Sequence, residues 1–378
     1  MAEKSNYQVC TKCVMDTTDP DIYFDENGVC NHCHEYEEKR KMVDLPLEVK
    51  QQQLAAFVNK IKEDGKGKPY DCVTGVSGGV DSTYAVYLLK QLGLRPLVVH
   101  LDNGWNSELA VQNIENIVTR LGFDLYTKVL NWDEFRELQV AYLKASVLDL
   151  EALSDHAISA TLYEQAAKNN IKYIMAGTNT VTEAILPLNW RYAHKTNDAV
   201  NIKAINNSFR KKPIKDFPLL SFQKYSYYYK IKKIQWFSLL DYFDYDKAAA
   251  KALIEKELGW RDYGGKHYES IITRFYQGYI LPNKFNIDKR KAHLSTLIVS
   301  GQITREEALA ELAKPIMEAS ILKQDLDYVP KKLGLTNEEF TKIMQLPPKS
   351  HYDYKTDLKI RKLFFSLNKR LFKFSKNK

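Results

Sequence analysis

The chain has 378 residues, a mean hydropathy of -0.42 and a formal net charge of +8. This length predicts a main α/β domain with one or two smaller attachments. The basic balance suits phosphate-bearing ligands, an acidic partner or a nucleic acid. No run of about 18 apolar residues occurs that could span a membrane, and the N-terminal sequence MAEKSNYQVC has no apolar secretory segment. We therefore expect a cytoplasmic protein whose cysteines are free or bound to metal.

Four of the five cysteines form two CxxC knuckles, CTKC at residues 10–13 and CNHC at residues 30–33. This spacing predicts a zinc ribbon over residues 1–38, because each knuckle directs two sulfurs at one tetrahedral ion. The predicted zinc ligands are Cys10, Cys13, Cys30 and Cys33. Four thiolates close the coordination shell, so the zinc is expected to be structural, and His32 and His34 are not needed as ligands. Unmetallated surface thiols are the alternative.

A charged helical linker is predicted over residues 39–69, and from residue 70 the sequence alternates strands and helices. Apolar runs such as YDCVTG, RPLVVHLD and IKYIMAG are separated by amphipathic stretches. This alternation predicts a mainly parallel, doubly wound α/β sheet with helices on both faces, over residues 70–225. Ligands of such sheets bind beyond the carboxyl ends of the strands. The segments SGGVDST and AGTNT both fall there.

The segment SGGVDST occupies the turn between the first strand and the next helix. It is neither a Walker A motif nor the GxGxxG dinucleotide turn. Gly78 and Gly79 allow a tight backbone curl in which successive N–H groups point into one hollow. The hydroxyls of Ser77, Ser82 and Thr83 and the start of the helix add further donors. The loop is therefore predicted to hold an anion of pyrophosphate size, the alternative being a turn that binds no nucleotide.

SGGVDST resembles the signature loop of the ATP pyrophosphatases, which include GMP, NAD and asparagine synthetases and the tRNA-lysidine and thiolation enzymes. The resemblance implies that the loop grips the β- and γ-phosphates of ATP while a substrate oxygen attacks the α-phosphate. The implied ATP contacts are Ser77, Gly78, Gly79, Asp81, Ser82, Thr83, His100, Asp102, Gly177 and Thr178. Ser77 and Asp81 are expected to be catalytic. Asp81 and Glu183 are the implied magnesium ligands, although Glu183 could instead be a helix N-terminal carboxylate.

The fifth cysteine, Cys72, lies inside the first predicted strand, where a packing role is expected. No cysteine follows it. The absence of a further cysteine argues against sulfur transfer and leaves no nucleophile for glutamine hydrolysis. We therefore expect an ammonia-using synthetase that is supplied by a separate glutaminase.

CTKCVMDTTDP, SGGVDST and GWRDYGGKHYES together resemble the N-acetyl sugar amidotransferases of bacterial surface polysaccharide (lipopolysaccharide and O-antigen) biosynthesis. The likeness runs from Cys10 to about Leu312. It implies an ATP- and magnesium-dependent enzyme that converts the acetamido group of a UDP-linked N-acetyl sugar, often a uronic acid, to an acetamidino group. It also implies partners that resemble the glutaminase and cyclase subunits of imidazole glycerol phosphate synthase.

A sugar-binding helical region is expected over residues 226–320. The predicted substrate contacts are Arg261, Tyr263, Lys266 and His267, because cations match an anionic ligand and an aromatic ring can stack on a sugar or base. Lys266 is also expected to be catalytic, and Tyr268 is a second stacking candidate. A structural turn with solvated charges is the alternative. Lys195 and Lys215 are alternative cations for the departing pyrophosphate, and the sequence does not choose between them.

A helical basic tail is predicted over residues 321–378, ending in KIRKLFFSLNKRLFKFSKNK. It is read as a solvated helix end, as a docking segment for an acidic partner, or as a contact with an anionic membrane. The stretch FQKYSYYYKIKKIQWF is read as an amphipathic helix that packs on its own domain, with RNA stacking as the alternative. No nucleic acid partner is expected. An adenylating tRNA-modification enzyme and a non-catalytic scaffold are the alternative functions.

Overall fold

The computed structural model of the protein describes residues 7–43, 45–265 and 268–364. Its centre is a sheet whose strands are β1 Cys72–Gly75, β2 Pro96–Asp102, β3 Leu125–Val129, β4 Tyr173–Ala176 and β5 Gln235–Ser238. The strand order is β3-β2-β1-β4-β5, and every neighbouring pair is parallel. The predicted parallel α/β sheet is therefore confirmed.

Helices precede, separate and follow the strands. In chain order they are α1 Asn31–Val43, α2 Leu47–Asp64, α3 Val80–Gln91, α4 Glu108–Leu121, α5 Trp132–Ala145, α6 Ala152–Lys168, α7 Thr180–Glu183, α8 Ala199–Phe209, α9 Phe222–Lys230, α10 Lys247–Leu258, α11 Ile271–Phe275, α12 Leu281–Phe285, α13 Lys289–Val299, α14 Arg305–Leu312, α15 Ala319–Lys332 and α16 Asn337–Gln345. A π-helical turn, Tyr276–Ile280, joins α11 to α12, and residues 358–364 are again helical. The expected helical C-terminal region is thus present up to residue 364, and residues 365–378 of the predicted basic tail lie outside the described residues. None of the helices in the described ranges combines the length and apolarity that a bilayer-crossing segment needs.

Both faces of the sheet are covered, as the continuous apolar strands predicted. Side chains alternate between the two faces of a strand. Cys72 of β1 therefore packs in one core cluster with Leu54 of α2 and Leu89 of α3. Its neighbour Val73 packs in another cluster with Ala166 of α6. The α6 side and the α2/α3 side together bury Cys72, Val73 and Thr74 of β1, which fixes the position of the loop that follows it.

The sheet extends past residue 225, where the sequence analysis ended the nucleotide-binding domain. β5 pairs with β4 in the register Tyr173↔Gln235 to Ala176↔Ser238. The segment read as one amphipathic helix is the helix α9 followed by this strand. Lys233 has a φ of +56° and turns the chain between the two elements, and aromatic residues such as Trp236 suit a pleated surface.

Candidate functional site

The loop after β1 lies at the carboxyl end of the sheet, as predicted. Val76 donates from its N–H to the carbonyl of Val99 at 2.9 Å, which continues the strand pairing up to the loop. Ser77 is exposed, and its N–H donates to Ser82 Oγ at 3.2 Å. The two hydroxyl oxygens, Ser77 Oγ and Ser82 Oγ, lie 3.2 Å apart. These hydroxyls therefore stand together at the start of α3, where the positive end of the helix dipole favours an anion.

One carbonyl of this loop is fixed by two side chains from a distant part of the chain. The carbonyl of Gly78 accepts hydrogen bonds from Trp260 Nε1 and from the Tyr263 hydroxyl, both at 2.6 Å. The C=O and N–H of a trans peptide point in opposite directions, so this contact turns the Gly79 N–H away from Trp260 and Tyr263. That N–H donates to Ser77 Oγ, with the nitrogen 3.3 Å from the oxygen. The loop therefore presents a preoriented backbone donor on its serine side.

Gly78 in the loop and Gly177 beside it are needed for different reasons. Gly78 has a φ of +86°, and a Cβ there would lie 2.7 Å from the Tyr263 hydroxyl. Gly177 follows β4, and a Cβ there would lie 2.7 Å from the backbone oxygen of Asp81. Gly177 therefore lets the end of β4 approach the first turn of α3 closely. Thr178, the next residue, is exposed and its Oγ1 lies 2.8 Å from Ser238 Oγ.

The Thr83 hydroxyl does not add a donor to the loop surface, in contrast to the sequence-based expectation. Its side chain is fully buried, and Thr83 Oγ1 has no hydrogen-bond partner among the described residues. Thr83 lies in the first turn of α3, where helical periodicity turns it towards the core rather than towards the solvent. The hydroxyls that the loop exposes to a ligand come from Ser77 and Ser82.

His100 and Asp102 lie at the end of β2. His100 is buried, its Nδ1 lies 3.1 Å from the Val76 carbonyl and its Nε2 accepts from the Asn106 amide at 3.0 Å. Burial lowers the pKa of His100, so the ring is neutral and donates from Nδ1. It supports the backbone just ahead of Ser77. Asp102 is half-buried and accepts a hydrogen bond from the Gly104 N–H at 2.9 Å.

Both predicted magnesium ligands act on the titration of Tyr245, and Asp81 also bonds it directly. The Tyr245 hydroxyl donates to Asp81 Oδ1. Burial, followed by the carboxylates of Asp81 and Glu183, raises the pKa of Tyr245 well above its usual value. Asp241 accepts from the N–H and the hydroxyl of Thr180, at 2.7 and 3.0 Å, and so fixes the start of α7. Carboxylate oxygens such as those of Asp81 and Glu183 are the hard ligands that Mg²⁺ prefers.

The segment GWRDY is held against α4 and the loop. Asn113 bonds both the N–H and the carbonyl of Arg261, at 2.9 and 2.8 Å, and the guanidinium contacts Gln112. Tyr263, expected to stack on a ligand, uses its hydroxyl to hold the Gly78 carbonyl. The predicted contacts Lys266 and His267 lie outside the described residues. The Tyr268 ring faces the guanidinium of Arg274 at 5.1 Å.

The two alternative cations for pyrophosphate have different surroundings. Lys195 Nζ lies 2.5 Å from Asp155 and 3.5 Å from Asp149. Burial alone would lower the pKa of Lys195, but these carboxylates raise it. Lys195 is therefore already paired with carboxylates. Lys215 is exposed, and its backbone N–H donates to Glu134 at 2.7 Å.

The four ribbon cysteines form a site that fits zinc. Their sulfurs all lie within 4.8 Å of one another, and all four residues are buried. The separations are 3.9 Å for Cys10–Cys33, 3.6 Å for Cys13–Cys30 and 3.7 Å for Cys30–Cys33. A tetrahedral ion with Zn–S bonds of about 2.3 Å requires sulfurs about 3.8 Å apart. His32 and His34 pair instead with Asp19 and Asp25, at 2.6 and 3.0 Å.

The knuckle around Cys10 and Cys13 is docked on the C-terminal helices. Arg305 donates to the carbonyl oxygens of Cys10 and Cys13, both at 3.0 Å. The N–H of Val14 donates to Ser295 Oγ of α13 at 3.1 Å. The ribbon is therefore fixed to α13 and α14 although about 280 residues separate them in the chain.

The helix α13 also contacts the segment that carries Glu183. His293 Nδ1 lies 3.2 Å from the carbonyl of Thr182, and the N–H of Ile185 donates to Thr296 Oγ1 at 3.0 Å. Helix α13 thus holds residues 182–185. Through Ser295, the same helix also bonds Val14, which follows the Cys10–Cys13 knuckle. One helix connects the two sites.

Sequence reasoning missed four residues that support the site, namely Asn106, Asp241, Tyr245 and Trp260. Trp260 is part of the quoted GWRDY motif and could have been assigned a role from it. The others carry no local signal, because their contacts depend on tertiary packing. Cys72 is fully buried, and burial raises the pKa of its thiol, so it cannot serve as an exposed nucleophile.

Comparison with solved structures gives similarities of low identity. The NH3-dependent NAD synthetase from Campylobacter jejuni is 14% identical, with a TM-score of 0.30, over 77% of this chain and 98% of that chain. The NMN synthetase from Francisella tularensis is 17% identical, with a TM-score of 0.29, over 57% of this chain and 94% of that chain.

Two curated proteins are similar in sequence. An uncharacterized protein of Methanocaldococcus jannaschii is 26% identical over 326 residues, which cover 83% of this chain and 96% of that protein. The tRNA(Ile)-lysidine synthase of Chlamydia pneumoniae is 32% identical over 132 residues. That match covers 29% of this chain and only 41% of the synthase.

The C-terminal part of the chain matches a family directly. Residues 269–367 match the family model described as LPS biosynthesis protein WbpG-like, C-terminal domain. The matched range begins at Glu269, inside the GWRDYGGKHYES segment, and contains the helices α11 to α16, including those that contact the Cys10–Cys13 knuckle. This match bears out the resemblance found in the sequence: residues 269–367 are similar to the C-terminal domain of the WbpG-like proteins of lipopolysaccharide biosynthesis.

Proposed function

We propose that this chain is the synthetase half of an ATP-dependent sugar amidotransferase, a ligase that forms AMP and pyrophosphate. Its substrate is a UDP-linked N-acetyl sugar of the uronic acid type, and its product carries an acetamidino group. The observation that carries the proposal is the fixed Ser77–Ser82 loop beside the carboxylates of Asp81 and Glu183. The WbpG-like domain supports the link to surface polysaccharides.

In the first step the acetamido oxygen attacks the α-phosphorus of ATP. The bond from that phosphorus to the oxygen bridging to the β-phosphate breaks, and pyrophosphate leaves. The Gly79 N–H, the hydroxyls of Ser77 and Ser82 and the start of α3 bind the departing charge. Asp81 and Glu183 would hold Mg²⁺, which neutralises phosphate charge when bound.

In the second step ammonia attacks the activated amide carbon. The carbon–oxygen bond breaks, and AMP leaves with the oxygen that belonged to the acetamido group. Loss of protons from the added nitrogen gives the neutral or protonated amidine. The amide oxygen is a poor leaving group by itself, so adenylation is the step that makes the exchange feasible.

We further propose that the ammonia comes from a separate glutaminase, with a cyclase-like subunit as the channel. Five cysteines occur in the chain, four in the zinc cluster and one fully buried. The usual thiolate nucleophile for glutamine hydrolysis is therefore missing. The chain alone should use ammonium salts and should not use glutamine.

The test is a product analysis by mass spectrometry. Purified protein is incubated with Mg²⁺, ATP, an ammonium salt and a panel of UDP-N-acetyl sugars and their uronic acids. We expect AMP, pyrophosphate and a sugar product one mass unit lighter, because NH replaces O. Formation of ADP and phosphate, or hydrolysis of glutamine by this chain alone, would contradict the proposal.

A second candidate is an adenylating tRNA-modification enzyme. It is favoured by the similarity to the lysidine synthase over 132 residues and by the net charge of +8. The substrate distinguishes the two functions. When the chain is incubated with unmodified tRNA, ATP and either ammonium or lysine, AMP should form only if tRNA is the acceptor. Copurification of RNA that resists about 0.5 M salt, where phosphate contacts weaken, would also favour this candidate.

A further inference from the structure

One continuous stretch of the chain carries cations and aromatic residues but no carboxylate. Between Asp216 and Asp241 the sequence has four lysines and neither Asp nor Glu. In the structure this stretch forms α9, a turn and the strand β5 at the edge of the sheet. Its charge is therefore concentrated on one part of the surface.

The inner face of this stretch is anchored in the core. Phe222 and Tyr228 of α9 are buried, and the Tyr228 ring stacks on Tyr163 of α6 at 5.9 Å. The ring of Trp236 lies 6.4 Å from the same tyrosine. The backbone is therefore held in place, so the outward side chains are presented by a fixed scaffold.

The outward side is unusually apolar for a basic surface. Ile231 is 68% exposed, Tyr229 is 53% exposed and Trp236 is 40% exposed. We call the following residues the α9 patch: Lys224, Tyr227, Tyr229, Lys230, Ile231, Lys232, Lys233 and Trp236, all of them exposed. Exposed apolar groups that occur together commonly mark an interaction site.

The helical residues 358–364 meet this patch. The Phe364 ring lies 5.2 Å from the Phe222 ring, and Lys230 Nζ lies 4.2 Å from the centre of the Phe364 ring. On this segment Leu363 is 62% exposed beside the exposed Lys362. Residues 358–364 and the α9 patch, which are over 120 residues apart in the chain, therefore form one surface. Both segments combine lysines with apolar side chains.

We propose that this joint surface docks on an anionic lipid bilayer. Tyr and Trp side chains sit at the level of the lipid headgroups, and aliphatic tips such as Ile231 and Leu363 can enter the acyl boundary. Lysine stems extend along the apolar surface while their ammonium groups reach the lipid phosphates. Each lysine near an anionic surface adds attraction. The surface is thus matched to such a membrane in both charge and apolarity.

Other occupants fit this surface less well. Single-stranded RNA would use the lysines and rings, but Ile231 and Leu363 have no π-face for a base to stack on. A second copy of the chain would bring two positive surfaces together, and like charges repel. Among the large hydrophobic side chains of this surface the most exposed are the aliphatic Ile231 and Leu363, which favours lipid.

The test is vesicle flotation of the full chain. Vesicles of phosphatidylcholine alone are compared with vesicles that also contain phosphatidylglycerol, at low and high salt. We expect binding to the anionic vesicles only, and its loss at high salt. Lys232→Glu with Lys233→Glu should weaken binding at least about tenfold, and Ile231→Glu should also weaken it. The matched controls are Lys60→Glu and Leu188→Glu, which alter exposed residues elsewhere.

A conservative variant tests whether misfolding, and not loss of the patch, explains weaker binding. Brominated anionic lipid should quench the tryptophan fluorescence of the wild-type chain, and Trp236→Phe should lose part of that quenching while unfolding at the same temperature. Absence of binding, equal binding to both kinds of vesicle, or controls as weak as the patch variants would overturn the proposal. Binding of single-stranded RNA that the patch variants abolish, with no vesicle binding, would overturn it as well.

Discussion

The Gly78 carbonyl receives two hydrogen bonds from side chains that lie about 180 residues away in the chain. Preoriented backbone donors stabilise developing negative charge, because they need no reorganisation when the charge appears. Trp260 and Tyr263 contact the loop on the side opposite Ser77 Oγ, so they act by orienting the Gly78–Gly79 peptide. Neither needs to touch the nucleotide.

Replacing Trp260 or Tyr263 by Phe should therefore weaken ATP binding. Each change removes one donor to the carbonyl, worth about 1 kcal/mol or about fivefold in the dissociation constant. Titration calorimetry with a non-hydrolysable ATP analogue measures the effect. Tyr70→Phe is the matched control, since the Tyr70 hydroxyl donates to Asp124 at 2.8 Å away from the loop. Wild-type affinity in both loop-contact variants would show that the peptide is oriented without them.

Asp81 and Glu183 should set the magnesium dependence of turnover. Asp81→Asn or Glu183→Gln removes one hard anionic ligand, so the magnesium concentration for half-maximal rate should rise. The rate at saturation should fall by about 10². Tyr245→Phe removes a neighbouring donor and no charge, so it should leave the magnesium requirement nearly unchanged. An unaltered magnesium curve in both carboxylate variants would remove these residues from the ion's coordination.

The helix α13 joins the four-cysteine ribbon to the proposed nucleotide site. The ribbon and the SGGVDST loop are distant in the chain. In the folded protein, α13 bonds Val14 through Ser295 and the segment after α7 through Thr296. Packing of the ribbon therefore supports the backbone that carries Glu183.

Disturbing the ribbon should consequently reach the nucleotide site. Cys30→Ser should release zinc and lower the unfolding temperature, since structural zinc contributes directly to folding free energy. Arg305→Met keeps all four thiolates but loses two bonds to the knuckle, so zinc should stay bound while magnesium-dependent ATP binding weakens. Zinc content is read by mass spectrometry and ATP binding by calorimetry. Unchanged ATP affinity in Arg305→Met would separate the two sites.

The alternation of apolar strands with amphipathic helices was sufficient to predict the parallel sheet, and the CxxC spacing predicted the cysteine cluster. Both signals are local or have a fixed spacing.

The strand β5 was missed because its short sequence follows a helix without a glycine or proline between them. The donors to Gly78 and Asp81 were missed for a different reason. Trp260 and Tyr245 reach the loop only through the packing of α10 against α3 and α4, which no local pattern records.

At the scale of the whole molecule, buried histidines make stability depend on pH. Burial lowers the pKa of His156 to about 4 and that of His351 to about 3. Below about pH 6.5 the unfolded chain binds protons at these residues and the folded chain does not. The free energy of unfolding should therefore fall as the pH falls, by at most about 1.4 kcal/mol per pH unit for each histidine.

Denaturant unfolding between pH 7.5 and pH 5.5 measures this slope. His351→Asn should show a smaller slope than the wild-type chain, since one buried neutral imidazole is gone. Its stability at pH 7.5 should be lower, because the ring also stacks on Tyr192 at 4.4 Å. A slope equal to that of the wild type would assign the pH dependence to other groups.

In the proposed reaction the acetamido oxygen attacks the α-phosphate and leaves with AMP. The most direct measurement uses a UDP-N-acetyl sugar labelled with ¹⁸O in its acetamido group, incubated with ATP, Mg²⁺, ammonium and the purified chain. The proposed chemistry predicts one ¹⁸O atom in AMP for every amidino sugar formed, and none in pyrophosphate. Unlabelled AMP, or label in inorganic phosphate alongside ADP, would contradict it.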